Sequence, residues 1–149
     1  MKDRGFTLIE IIVSVSLLLL LSGLFIANYN GFSSSQNVKQ AASDVVTNLQ
    51  AARINASSGV KPDGCDTLVG YIVNFPTAST YTAQASCQNN VNFPVTTYTL
   101  PTGVTFSPTP QAITFYALNR GASGDQTISL TGSGTTMNVS VFASGVVSE

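Results

Sequence analysis

A single carboxylate, Glu10, interrupts an otherwise uncharged run from Phe6 to Ala27, FTLIEIIVSVSLLLLLSGLFIA. An acid in hydrocarbon costs on the order of 2.5–3.5 kcal/mol at mid-helix depth and less near a helix end, so it needs a partner. An α-amine freed at the start of the same helix, or of a neighbouring one, could pair with it and lower the cost of burying both. Chemistry elsewhere is sparse. There is no His, and beyond the run the carboxylates are Asp44, Asp63, Asp66, Asp125 and Glu149. Acid–base catalysis needs a group tuned near the working pH, or a metal, and no two of these five read as a dyad. The expectation is a protein that is not an enzyme and holds no cofactor or metal. Asp63 and Asp66 flank Cys65 and come nearest to a hard-cation site, but such sites take six to eight oxygen ligands and a solvated turn is the better reading. Cys65 and Cys87 form an even pair; if the domain lies outside the cytoplasm a disulfide worth about 3 kcal/mol is expected, with two buried thiols as the alternative.

The elements that carry these residues follow from patterning. As a helix, residues 6–27 would be roughly 33 Å long at ~1.5 Å per residue, close to the ~30 Å hydrocarbon core of a bilayer. The next stretch, NYNGFSSSQN at 28–37, is polar and poor in helix formers, so a kink or melted section is expected there. Val38, Ala42, Val45, Leu49, Ala52 and Ala56 then recur every three or four residues, with Ala41, Val46 and Ile54 beside them. That is the core stripe of an amphipathic helix over about 36–58, stopped by Gly59 and Pro62.

Downstream the composition turns to Thr, Val, Tyr, Phe and Gly. Alternation at Val69, Tyr71, Val73 and Phe75, a turn at 76–79, and alternation back through Tyr81, Ala83, Ala85 and Cys87 predict a hairpin. Cys65 and Cys87 would lie at its open end. Further strands are expected at 95–100, 104–106, 112–118, 126–131 and 136–143. The fold class is therefore α+β, a long N-terminal helix packed on an antiparallel β-sheet domain. Its expected divisions are 1–5, a leader; 6–27, a transmembrane helix; 28–58, a membrane exit and amphipathic helix; and 59–149, a β-rich domain.

The polar leader carries Lys2 and Arg4, and the apolar run follows Gly5 directly, whereas a secretory signal peptide is cut after its apolar part. GFTLIE at 5–10 resembles the prepilin cleavage motif of type IV pilins and type II secretion pseudopilins. The resemblance implies that a membrane peptidase cuts between Gly5 and Phe6, N-methylates Phe6 and leaves the apolar helix in place. It makes Glu10 the family's assembly glutamate. It also implies a pilin-like fold, single-pass anchoring in the inner membrane with an extracytoplasmic domain, and partners comprising the prepilin peptidase, other pilin or pseudopilin subunits and an assembly platform. The C-terminal part looks like the GspH/FimT pseudopilins, through Ile113, Phe115, Gly121, Thr127, Ile128, Leu130, Val139, Val141 and Gly145. AARINA at 51–56 resembles that family's Ala-Arg-x-x-Ala segment.

Two functional readings follow. One is a structural subunit of a type II secretion pseudopilus or a type IV pilus. The other is a FimT-like minor pilin that binds DNA in natural transformation. DNA binders of that type carry basic residues around the final glycine, whereas here Gly145 is followed by Val146-Val147-Ser148-Glu149. Net charge is -1, and Arg120 is the only cation after Lys61, so nucleic acid is not expected as a partner.

Overall fold

The computed structural model describes residues 7–88, 93, 95–118 and 120–149, excluding the side chains of 23–32 and 34. One helix, α1, runs without a break from Leu8 to Ser57. The melted section that 28–37 could have formed is therefore not present, and the stretch is helical throughout. Asn, Ser and Gly each cost only about 0.5–1 kcal/mol relative to Ala in a helix, and without a proline nothing forces the backbone ladder to open. Ser14, Ser16 and Ser22 each donate to the carbonyl four residues back, at 2.7 to 2.8 Å. Their hydroxyls are thus satisfied inside an apolar run.

The helix end is specified locally. Gly59 has φ 66°. Its N–H donates to the Ala56 carbonyl (3.2 Å) and Val60 N–H to the Asn55 carbonyl (3.0 Å), the paired bonds of a Schellman stop.

Among the described residues, eight strands form two four-stranded antiparallel sheets. They are β1 Leu68–Thr77, β2 Thr80–Cys87, β3 Thr96–Thr99, β4 Thr105–Phe106, β5 Ile113–Tyr116, β6 Gln126–Gly132, β7 Thr135–Val141 and β8 Val147–Ser148. The first sheet is ordered β3-β2-β1-β5 and the second β4-β6-β7-β8. The expected hairpin is β1–β2, with Val73 opposite Ala83 and Tyr71 opposite Ala85. The division into two sheets, and the two-residue β8, go beyond the patterning.

Both sheets pack on the second half of α1. Val38, Ala41, Ala42, Val45 and Leu49 are fully buried there, against Val73, Ile113 and Phe115 of one sheet and Ile128, Leu130, Val139 and Val141 of the other. Alanines on the stripe let strands approach the helix closely. Ile54, expected beside the stripe, points outward and is 59% exposed. Close approach also explains Gly70, where any Cβ would collide with the Phe115 carbonyl of the neighbouring strand. Phe106 N–H donates to the Ala78 carbonyl at the tip of the β1–β2 turn (2.7 Å), tying the second sheet to the first.

Candidate functional site

At the N-terminus Thr7 is the helix N-cap, and its side chain accepts from the Glu10 N–H at 3.4 Å. Thr7-Leu8-Ile9-Glu10 thus has the spacing of a capping box, a signal legible in the sequence itself. Glu10 is exposed and lies in the first turn, where the unpaired N–H groups of the helix favour a negative charge. The expected cleavage residues Gly5 and Phe6 lie outside the described residues, so the pairing of Glu10 with a Phe6 amine does too.

Every described side chain from Thr7 to Ser22 is exposed, Leu8 at 79% and Leu20 at 71%. An apolar run of this kind needs lipid or protein around it. Among the described residues no helix is long and apolar enough to cross a membrane, and parts of the expected span 6–27 fall outside them.

Cys65 and Cys87 are joined in a disulfide, with Cα atoms 5.8 Å apart. The bridge ties the segment before β1 to the end of β2 and forms a small buried cluster with Phe93 and the half-buried Leu68. Lys61 Nζ donates to the Asp66 carbonyl at 3.0 Å, bracing the same loop. Asp63 and Asp66 are exposed, and among the described residues no three metal-ligating side chains converge.

The C-terminal positions serve packing. Phe115, Ile128, Leu130, Val139 and Val141 lie in the core. Gly121 and Gly145 have φ 81° and 83° and lie against one another, and Arg53 reaches Gly145. Arg120 is held locally: its Nε donates to the Ala117 carbonyl (3.2 Å) and its guanidinium stands 5.9 Å from the centre of the Tyr116 ring.

A feature missed by the reading is the polar groove between α1 and the first sheet, where Asn48 Nδ2 donates to the Tyr81 hydroxyl at 2.7 Å. Burial pushes the Tyr81 phenol above its usual range. The alternation had marked Tyr81 as a core position, but the helix residue that meets its hydroxyl is 33 positions away.

The family model for the prokaryotic N-terminal methylation motif matches residues 1–26. No curated protein and no solved structure matches the chain. This motif, leading into a helix that packs on antiparallel sheets, supports a likeness to type IV pilin-like proteins.

Proposed function

We propose that the chain is a minor subunit of the GspH/FimT type, cut between Gly5 and Phe6 and N-methylated at Phe6 by a prepilin peptidase. It is then assembled into a type II secretion pseudopilus or a type IV pilus. The observation that carries this reading is the methylation motif over residues 1–26. The exposed apolar surface of Leu8–Ser22 supports it, because an anchor that later packs among like helices must first be covered by lipid. On this reading the protein waits in the inner membrane as a single-pass protein with its sheets outside the cytoplasm, and enters the filament through other subunits and an assembly platform. It performs no catalysis of its own.

Co-expression with a prepilin peptidase tests the proposal. Intact mass should show loss of Met1 to Gly5 and the addition of one methyl group, and Gly5→Val should abolish both. An uncut N-terminus on the wild-type chain in its native host would refute the assignment.

A further inference from the structure

In the part of α1 that the sheets enclose, one carboxylate stands without a cation. Asp44 is exposed, and on a helix its side-chain neighbours lie three and four positions away. Those positions hold Gln40, Ala41, Thr47 and Asn48, all neutral. Gln40 Nε2 donates to Asp44 Oδ1 at 2.8 Å, which orients the carboxylate and leaves its charge uncompensated. The nearest base in the sequence, Lys39, is five positions back and about 140° around the axis at ~100° per residue, so it leaves the helix on another side. Among the described residues Asp44 makes no ion pair.

Beside Asp44 lies a cavity of about 360 Å³ between α1 and the first sheet. Asp44, Thr47 and Asn48 line it from the helix, Tyr81 of β2 and Tyr98 of β3 line it from the sheet, and among the described residues no Lys or Arg borders it. The two tyrosines are cross-strand partners, their ring centroids 5.0 Å apart and their planes 21° from parallel. Tyr81 is buried, and Asn48 Nδ2 donates to its hydroxyl at 2.7 Å. Tyr98 is half-buried and is the more accessible ring of the stack. Burial raises the Tyr81 phenol, against the Asn48 bond, and Tyr98 and the charge on Asp44 raise it further, so that charge is felt at the cavity wall.

A carboxylate, aromatic rings with negative faces, and neutral hydroxyl and amide groups thus border one space. All of them attract a positive charge and none repels it. A hard metal ion needs more oxygen ligands than a single carboxylate anchors, and among the described residues no three metal-ligating side chains converge. An organic cation fits better, because an ammonium within about 6 Å of a ring centre is drawn by the ring quadrupole and needs only one countercharge.

We propose that this cavity binds an aliphatic ammonium group, held between the Asp44 carboxylate and the Tyr98 ring. Thr47 and Asn48 offer oxygen acceptors to its N–H groups where it is a primary amine, and contact surface to its methyl groups where it is quaternary. Both forms carry the charge and the apolar shell that this lining recognises.

The test titrates the full chain, in micelles of a polyoxyethylene detergent that carries neither an ammonium nor a sugar, at constant ionic strength. The probes are n-butylammonium, tetramethylammonium, sodium and the neutral tert-butanol, and backbone amide shifts are the readout. Both organic cations should move Thr47, Asn48 and Thr97–Thr99 along saturable curves at millimolar concentration and leave β6 and β7 unmoved. Sodium and tert-butanol should not. Asp44→Asn, an isosteric change on an exposed helix face, should weaken the organic cations about five- to tenfold, Tyr98→Leu about threefold, and Lys39→Gln not at all. Tighter binding of n-butylammonium would give the site to primary amines of the lysine type, and tighter binding of tetramethylammonium to quaternary groups of the choline type; either supports the site. No saturable shift, equal shifts with tert-butanol, or unchanged affinity in Asp44→Asn would each overturn the proposal. So would movement of the same amides by maltotriose at lower concentration, which would give the cavity to a neutral sugar. Cleavage at Gly5 and filament entry enter none of these outcomes.

Discussion

At Glu10 two interactions compete to explain one carboxylate. The structure supplies a local one, the first-turn position with Thr7 as cap, where a negative charge is worth typically 0.3–1 kcal/mol. The proposed one is a pair with the Phe6 amine of another subunit. Removing the cap alone should separate them: Thr7→Ala should cost about 1 kcal/mol of local helix stability, seen as faster amide exchange over residues 8–11, without blocking assembly. Glu10→Leu should leave membrane insertion intact or better and reduce filament incorporation severalfold, scored by shearing and blotting. Equal incorporation of the two variants would leave Glu10 as a capping residue only. Tyr81 offers a second test at this scale. Burial holds its phenol neutral, so its folded pKa lies above the unfolded value of 10.0. That contribution is complete below pH 10 and is lost as pH rises through the unfolded and then the folded value. Tyr81→Phe should therefore be less stable than wild type near neutrality, where the Asn48 bond is lost, and show a smaller decline above pH 10 in urea titrations followed by circular dichroism.

Among the elements, the strands of the first sheet and the core stripe of α1 were legible because period-2 and period-3.6 patterns survive wherever one face is buried. The continuity of α1 was not legible. Residues 28–37 have low helical propensity, but propensity is a sum of small terms, and the capped helix on either side extends through them. β8 is too short to show alternation, and its partner β7 is visible only once Gly145 has turned the chain. The cap at Thr7 is readable in TLIE, where Thr and Glu stand three residues apart. The disulfide closes the first hairpin at the end away from its turn, where Gln88 N–H also donates to the Thr67 carbonyl at 3.0 Å. Its loss is therefore local. Cys87→Ser should lower stability by about 3 kcal/mol, an upper figure from loop-closure entropy, and raise exchange over 65–88 more than over β6 and β7. Unchanged midpoints under oxidising and reducing conditions would show that the bridge constrains nothing the sheet does not already hold.

For the whole molecule, the described side chains of α1 fall into an exposed stretch, Leu8–Ser22, and a stretch from Val38 onward that two sheets enclose. Among the described residues the first buried one is Val38, and every other member of the main core lies after it. Cutting the chain near Ser34 removes the exposed apolar surface of Leu8–Ser22 and keeps every core residue found among the described ones, so a fragment from there to Glu149 should fold and stay monomeric in sedimentation. The same fragment decides between the two functional readings. Binding to DNA draws its affinity from cations that displace counterions, with log K falling by about 0.9 per phosphate neutralised for each decade of salt. The cations left in it are Lys39, Arg53, Lys61 and Arg120, against the carboxylates Asp44, Asp63, Asp66, Asp125 and Glu149. Arg120 is held by the Ala117 carbonyl and the Tyr116 ring, and Arg53 lies beside Gly145 in a cavity of only about 10 Å³, too small for a phosphate backbone. The fragment should not retard duplex DNA at micromolar protein and moderate salt. Retardation that weakens steeply with salt and disappears in Arg120→Ala would overturn the structural reading and favour a minor pilin of transformation.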